Sequence, residues 1–285
     1  MNDQPLFRIP LGRWIEAILD FLTTTFSGVT KALSTFIESA IDAVVSVVLL
    51  LPPWLFIIIL GSAIFFLVGR KIAVYSAAGL FILWNLNLWE ATIVTIALVL
   101  VSTVFAVAMG LPLGVLAALN DTAGRILTPV LDFMQTMPAF VYLIPAIPFF
   151  GLGTVSAVFA TVIFSIPPAI RLTALGIRQV PKELVEAGDA FGATGAQKLI
   201  KVQLPIATPT IMAGVNQTIM LALSMAVIAS MIGAGGLGAE VWKAIQRLRP
   251  GMGFEAGVGV VIVAMILDRI TQHLGTRNTV PRKLH

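Results

Sequence analysis

A chain of 285 residues with 58% apolar and only 11% charged side chains lies far from the roughly 25% charged content of soluble domains. Its mean hydropathy of +0.98 excludes a soluble globular protein, and several runs reach the roughly 20 apolar residues that a bilayer core requires. The net charge of +4 then reads as an orienting device in a membrane rather than a nucleic-acid footprint, and the absence of cysteine excludes disulfides and thiolate ligation.

From the N-terminus, residues 11–48 mix charges with apolar residues at helical spacing: Trp14, Ile18, Phe21 and Leu22, then Leu33, Phe36, Ile37 and Ile41. Steps of three and four predict a helix with one apolar face, either resting at the membrane interface or meeting a partner. The first long apolar run begins only near Ile41, so no cleavable signal peptide is expected. Pro52 and Pro53 stop this region, which makes 1–52 an N-terminal amphipathic segment and 53–285 the membrane domain. Spanning segments are predicted at about 54–69, 72–88, 91–118, 127–150, 154–176, 206–232 and 255–274. The fold class is therefore all-α, a polytopic bundle of about seven membrane helices. With the N-terminus outside, twelve of the eighteen Lys and Arg residues fall on the inner side. By the positive-inside rule this favours N-out and C-in, against the dissent of Lys243, Arg247 and Arg249.

Prolines are frequent in or beside the spans, at Pro112, Pro138, Pro145, Pro148, Pro167, Pro168 and Pro209. Each deletes a helix hydrogen bond that lipid cannot replace, which suits kinked helices around a moving pathway. Gly110 and Gly114, four apart, allow close helix approach.

Residues 181–205, PKELVEAGDAFGATGAQKLIKVQLP, interrupt the apolar chain. Pro181 with Glu183 and Glu186 suits the start of a helix, and Gly192 suits the left-handed residue after its end. Thr194 and Gln197 read as a capping box that opens a second helix, expected to end before Pro205. A helix–corner–helix is also the outline of a DNA reader, but no basic recognition helix follows, and the unit is tethered between two spans. No nucleic-acid partner is expected.

This loop resembles the EAA loop of ATP-binding-cassette importer permeases, which runs Glu-Ala-Ala, three residues, Gly, nine residues, Ile, one residue, Leu-Pro. The match falls on Glu186, Ala187, Gly188, Gly192, Val202, Leu204 and Pro205, with Gly188 in place of the second Ala and Val202 in place of Ile. Residues from about 90 to 274 are more narrowly similar to the permeases of glycine betaine, proline betaine or choline importers, through QTMPAFVYLIPAIPFFGLG, FSIPPAIRLTALGIRQVP, PTIMAGVNQTIMLALSMAVIASMIGAGGLG and ILDRITQ. The resemblance implies a multi-pass subunit of a bacterial inner membrane. It implies a cytoplasmic ATPase in two copies docking on the loop, a second permease copy, and an extracytoplasmic substrate-binding protein. A permease for amino acids or another small solute shares the loop and remains the alternative. A secondary transporter would need ion-coupling charges at mid-membrane, and a membrane-anchored regulator a larger cytoplasmic domain than this loop.

GAGGLG at 233–238 fits a dinucleotide fingerprint in letters only, because it follows a membrane span rather than a strand; a bent connection is expected. No phosphate-binding loop, nucleophile–base pair or metal-ligand cluster is visible, and His273 and His285 stand apart from other ligating residues. No catalytic, metal or cofactor-binding residue is assigned, and the chain reads as a non-enzymatic subunit. Charges near the spans, including Glu90, Asp132, Arg171, Glu255, Asp268 and Arg269, sit mostly at segment ends. Asn216, Gln217, Ser224 and Ser230 are candidate pathway residues on the sixth span, or else polar contacts between helices.

Overall fold

The computed structural model of the protein describes residues 10–276. Thirteen α-helices, with short tighter or wider turns between some of them and no strand, account for nearly all of the described residues. Helix α1 (Leu11–Thr25) exposes Trp14, Ile15, Ile18 and Phe21 along one face, as the spacing predicts. It ends at Phe26, so the amphipathic region is two helices rather than one. The second, α2 (Ser27–Leu49), buries Ile37 and Ile41 and sets Phe36 edge-on against Phe105.

Helices α3 (Pro53–Leu67) and α4 (Arg70–Asn85) form a hairpin joined at Gly69, whose φ is 134°. Proline at the start of α3 suits a position with no intrahelical donor to lose. The core follows: α5 (Trp89–Leu119), α6 (Asp121–Thr136), α7 (Leu143–Phe150), α8 (Thr154–Arg178) and, beyond the charged loop, α11 (Leu204–Ala229). A short α12 (Gly236–Gln246) and the long α13 (Pro250–Thr276) close the bundle. Small residues let α8 sit at the centre. A Cβ on Gly110 of α5 would fall 2.7 Å from Cβ of Ala169, and one on Gly114 would fall 2.6 Å from Cβ of Thr173. On the other side of α8, a Cβ on Gly176 would fall 3.0 Å from Cβ of Thr210 of α11. Without a hydrophobic drive between helices in lipid, such close backbone contact is what holds spans together.

Five helices among the described residues are long and apolar enough to cross a membrane, or six if one bent pair counts as a span. The count of seven expected from sequence differs in two places. Segments 54–69 and 72–88 are helices of 15 and 16 residues, about 22–24 Å long against a hydrocarbon core of about 30 Å. Conversely, Ser27–Leu49 is long and apolar enough to cross a membrane, and a crossing there changes the parity that sets the side of the N-terminus. Segment 127–150, read as one helix, is the bent pair, with 111° between its halves. The break lies at Met137, which is extended (ψ 135°) before Pro138, as the clash with a following proline ring demands. The Tyr142 hydroxyl donates to the Met134 carbonyl across the break, and its ring packs edge-on against Phe164.

Candidate functional site

The charged loop is anchored before it begins. In the last turn of α8, Arg178 donates to the Ala117 carbonyl at 2.6 Å and lies 3.6 Å from the Asp121 carboxylate. The end of α8 is thereby tied to the corner between α5 and α6, where the C-terminal carbonyls of α5 favour a cation. Val180 is buried and Pro181 leads into α9 (Lys182–Ala190).

Helix α9 ends in a fully bonded corner. Gly192 has φ 72°; its N–H donates to the Asp189 carbonyl, and the Ala193 N–H donates to the Gly188 carbonyl, both at 2.9 Å. This pair of bonds is the Schellman arrangement, which calls for a left-handed residue where glycine alone is free of a Cβ penalty. The capping box follows as the sequence predicts: the Thr194 hydroxyl accepts from the Gln197 N–H at 3.3 Å, and the Thr194 N–H donates to Gln197 Oε1 at 2.8 Å. Lys198 then pairs with Asp189 across the corner. Its stem runs over Gly188, where an added Cβ would lie 3.1 Å from Lys198 Cγ. The departure from alanine at that position therefore makes room for the lysine.

The second helix does not stop at Pro205. Helix α10 (Gly195–Lys198) passes through one wide turn, Leu199–Gln203, into α11, so Gly195–Ile232 is a single helical run of 38 residues. In the wide turn the Leu204 N–H donates to the Leu199 carbonyl, five residues back. That widening accommodates the ring of Pro205, which would otherwise clash with the carbonyl four residues before it.

On the loop, Glu186 and Ala187 are exposed, Gly188, Val202 and Leu204 are half-buried, and Pro205 is exposed at the start of α11. Glu186 shares the wall of a cavity of about 240 Å³ with Arg178, Lys182 and Gln203. The residue that sequence reading passed over is Phe191, 91% exposed at the corner, with Leu184 and Ile200 also open on the same loop. Its signal was an aromatic side chain set directly before the corner glycine of a polar segment.

The four polar residues of the sixth span separate. Asn216 donates to Asp268 of α13 at 2.8 Å, and Gln272 donates to the same oxygen at 2.7 Å. Ser230 is buried and donates to the Val227 carbonyl at 2.6 Å, close to where α12 packs through Gly238. Gln217 and Ser224 are exposed and, seven residues apart, share one face of α11. Asp132 and Arg171, taken from sequence as solvated ends, pair with each other between α6 and α8. At GAGGLG, Gly233, Gly235 and Gly236 all have positive φ. The Leu237 N–H donates to the Thr95 hydroxyl oxygen at 2.8 Å, and a Cβ on Gly236 would fall 2.5 Å from that oxygen. The turn is a packed joint against α5.

Comparison with known proteins agrees with this architecture. The glycine betaine/carnitine transport permease protein GbuB of Listeria monocytogenes is 53% identical over 93% of this chain and 95% of its own length. The glycine betaine transport system permease protein OpuAB of Bacillus subtilis is 48% identical over 94% and 95%. The glycine betaine/proline betaine transport system permease protein ProW of Escherichia coli is 46% identical over 94% and 75%. The fold is similar to that of the inward-facing MetNI methionine ABC transporter, with a TM-score of 0.63 at 23% identity over 68% of this chain and 96% of that one. The family described as binding-protein-dependent transport system inner membrane component matches residues 110–280, which hold α8, the charged loop and α11, and the chain belongs to that family: it is a multi-pass inner-membrane permease of an importer, a transport subunit and not an enzyme.

Proposed function

We propose that this permease carries compatible solutes of the quaternary-ammonium type, such as glycine betaine, proline betaine or choline, driven by a partner ATPase on its charged loop. The observation that carries the substrate class is identity of 46–53% with three permeases named for glycine betaine, over more than nine-tenths of this chain. Two permease copies, two ATPase subunits and an external binding protein complete the assembly in this reading. The loop and the C-terminal end of α13 lie in the cytoplasm, with α12 outside.

What supports docking at residues 181–205 is a rigid corner with an exposed aromatic at its tip and two rigid links to the bundle. One link is Arg178, which joins the loop's entry to the α5–α6 corner. The other is the unbroken helical run from Gly195 to Ile232, which carries movement of the corner into α11. ATP-driven closure of the ATPases would displace the corner, turn α8 and α11 together, and open the pathway outward. Reset would release the solute inward. Gln217 and Ser224, on the open face of α11, are the pathway candidates this reading favours, whereas Asn216 ties α11 to α13 and the buried Ser230 is bonded back to its own helical run.

Uptake of radiolabelled glycine betaine, proline betaine and choline tests the substrate class. The measurement uses cells lacking their own importers and supplied with the whole transporter. Saturable uptake of at least one of them is expected, and uptake of none overturns the assignment. Orientation has its own test, since the native chain has no cysteine. Ala196→Cys should be shielded from a membrane-impermeant thiol reagent in intact cells, and Gln246→Cys should be labelled. The reverse pattern would put the loop on the wrong side.

A further inference from the structure

A groove of about 610 Å³ between α4 and α13 belongs neither to the loop nor to the polar residues of α11. Its walls are apolar, formed by Ile72, Ile82, Ile262 and Met265 among others, and Lys71 and Arg269 stand together at one end. The helices touch at Gly79, where a Cβ would fall 2.6 Å from Cγ2 of Ile262. Tyr75 and Met265 beside this contact are exposed, so the groove opens on the outer surface of the bundle.

Three features of the groove define its occupant. Neither Lys71 nor Arg269 makes an ion pair with another described residue, and no carboxylate lines the groove. Asp268, next to Arg269, is turned to Asn216 and Gln272. From Lys71 to Ile82 the helix rises about 16 Å, roughly half of a hydrocarbon core of about 30 Å and so the depth of one leaflet. Two cations without an ion pair among the described residues, and an apolar slot one leaflet deep, match a phosphodiester headgroup with an acyl chain behind it. None of the residues that line the groove is a pathway candidate of α11, which separates it from the proposed transport pathway.

We infer that the groove between α4 and α13 binds an anionic phospholipid of the phosphatidylglycerol type. Its phosphate lies between Lys71 and Arg269, and a chain runs along Ile72 and Ile82. Each basic residue near a membrane surface favours an anionic lipid by roughly fivefold, so two give a preference of roughly twenty-fivefold over a zwitterionic lipid.

The test uses the assembled transporter in nanodiscs, with a bimane probe on Val261→Cys, an exposed position one helical turn from Met265. Brominated phosphatidylglycerol should quench half-maximally at roughly a twenty-fivefold lower mole fraction than brominated phosphatidylcholine. The two curves should merge in Lys71→Ala/Arg269→Ala, and Lys71→Arg should keep them apart. A probe on Val47→Cys of α2, outside the groove, should show no preference. Raising the salt concentration should shrink the preference at Val261 without any substitution, because exposed charges are screened. Equal quenching by the two lipids at Val261, or a preference that survives both the double substitution and high salt, overturns the proposal. Absence of quenching by either lipid overturns it as well, because protein would then cover the groove.

Discussion

Two glycine corners flank the helical run that contains α11, and they are built for different ends. At Gly192 the backbone is left-handed, yet a side chain there would meet no neighbour within 4 Å. At Gly236 the backbone is also left-handed, but a Cβ would press on Thr95 Oγ1 at 2.5 Å and Thr95 N at 3.3 Å. The first corner is closed by its own hydrogen bonds and stands clear of the bundle. The second is closed by the bundle itself. A corner that is complete alone and bare on its outside suits the docking role proposed for it, whereas a corner wedged into α5 is a joint of the fold.

The largest effect should come from the wedged corner. Gly236→Val combines overpacking, roughly 1–3 kcal/mol, with a left-handed conformation that costs a further roughly 1–2 kcal/mol for a residue with a Cβ. It also pushes Thr95 off the Leu237 N–H. Permease in the membrane should fall severely, measured by quantitative blotting of membrane fractions. Near-normal amounts would mean that the joint yields.

Gly192→Val should separate the two corners. It carries only the conformational cost, roughly 1–2 kcal/mol, and no clash, so insertion should be near normal. The Schellman bonds cannot persist without that strain, and the two short helices should lose their angle. Association with the ATPase and uptake, each normalised to permease in the membrane, should drop together. Normal values for both would remove the structural ground for docking at this loop.

Both corners were legible in the sequence because caps and turns act within four residues: Pro181, Gly192, Thr194 and Gln197 do locally what their spacing implies. Prolines misled in both directions. Pro138 ends a helix that the apolar pattern carries straight through, and Pro205 continues one that it was expected to end. The outcome depends on where the freed backbone groups find partners. In the first case the Tyr142 hydroxyl accompanies the break, and in the second a wide turn makes the repair. Neither is written in the local residue types. The same holds for Asp132 with Arg171 and Asn216 with Asp268, which lie 39 and 52 residues apart in sequence.

Phe191→Ala sharpens the comparison at the level of one side chain. The ring is 91% exposed, so its removal leaves the permease itself intact. A buried aromatic anchor in an interface contributes about 2 kcal/mol or more, which corresponds to roughly thirtyfold in affinity. Titration of the ATPase onto reconstituted permease should show a loss of that order. A change below about twofold would mark the ring as a bystander outside the contact, since truncation of such bystanders costs little.

The smallest effect should lie at the cap that opens the loop's second helix. Thr194→Ala removes the acceptor for the Gln197 N–H, a loss of about 1 kcal/mol. The rest of α10 runs without a break through the wide turn into α11, so fraying should stay within the first turn. Amide exchange should therefore rise at Gln197 and Lys198 and remain unchanged beyond Leu204. ATPase affinity should fall by roughly fivefold if the first turn is part of the docked surface, the equivalent of that lost cap. Thr194→Ser keeps the hydroxyl and should restore both readouts. If the alanine and serine variants behave alike, the cap is not what orders this turn, and the rigidity attributed to the free corner rests on the Gly192 bonds alone.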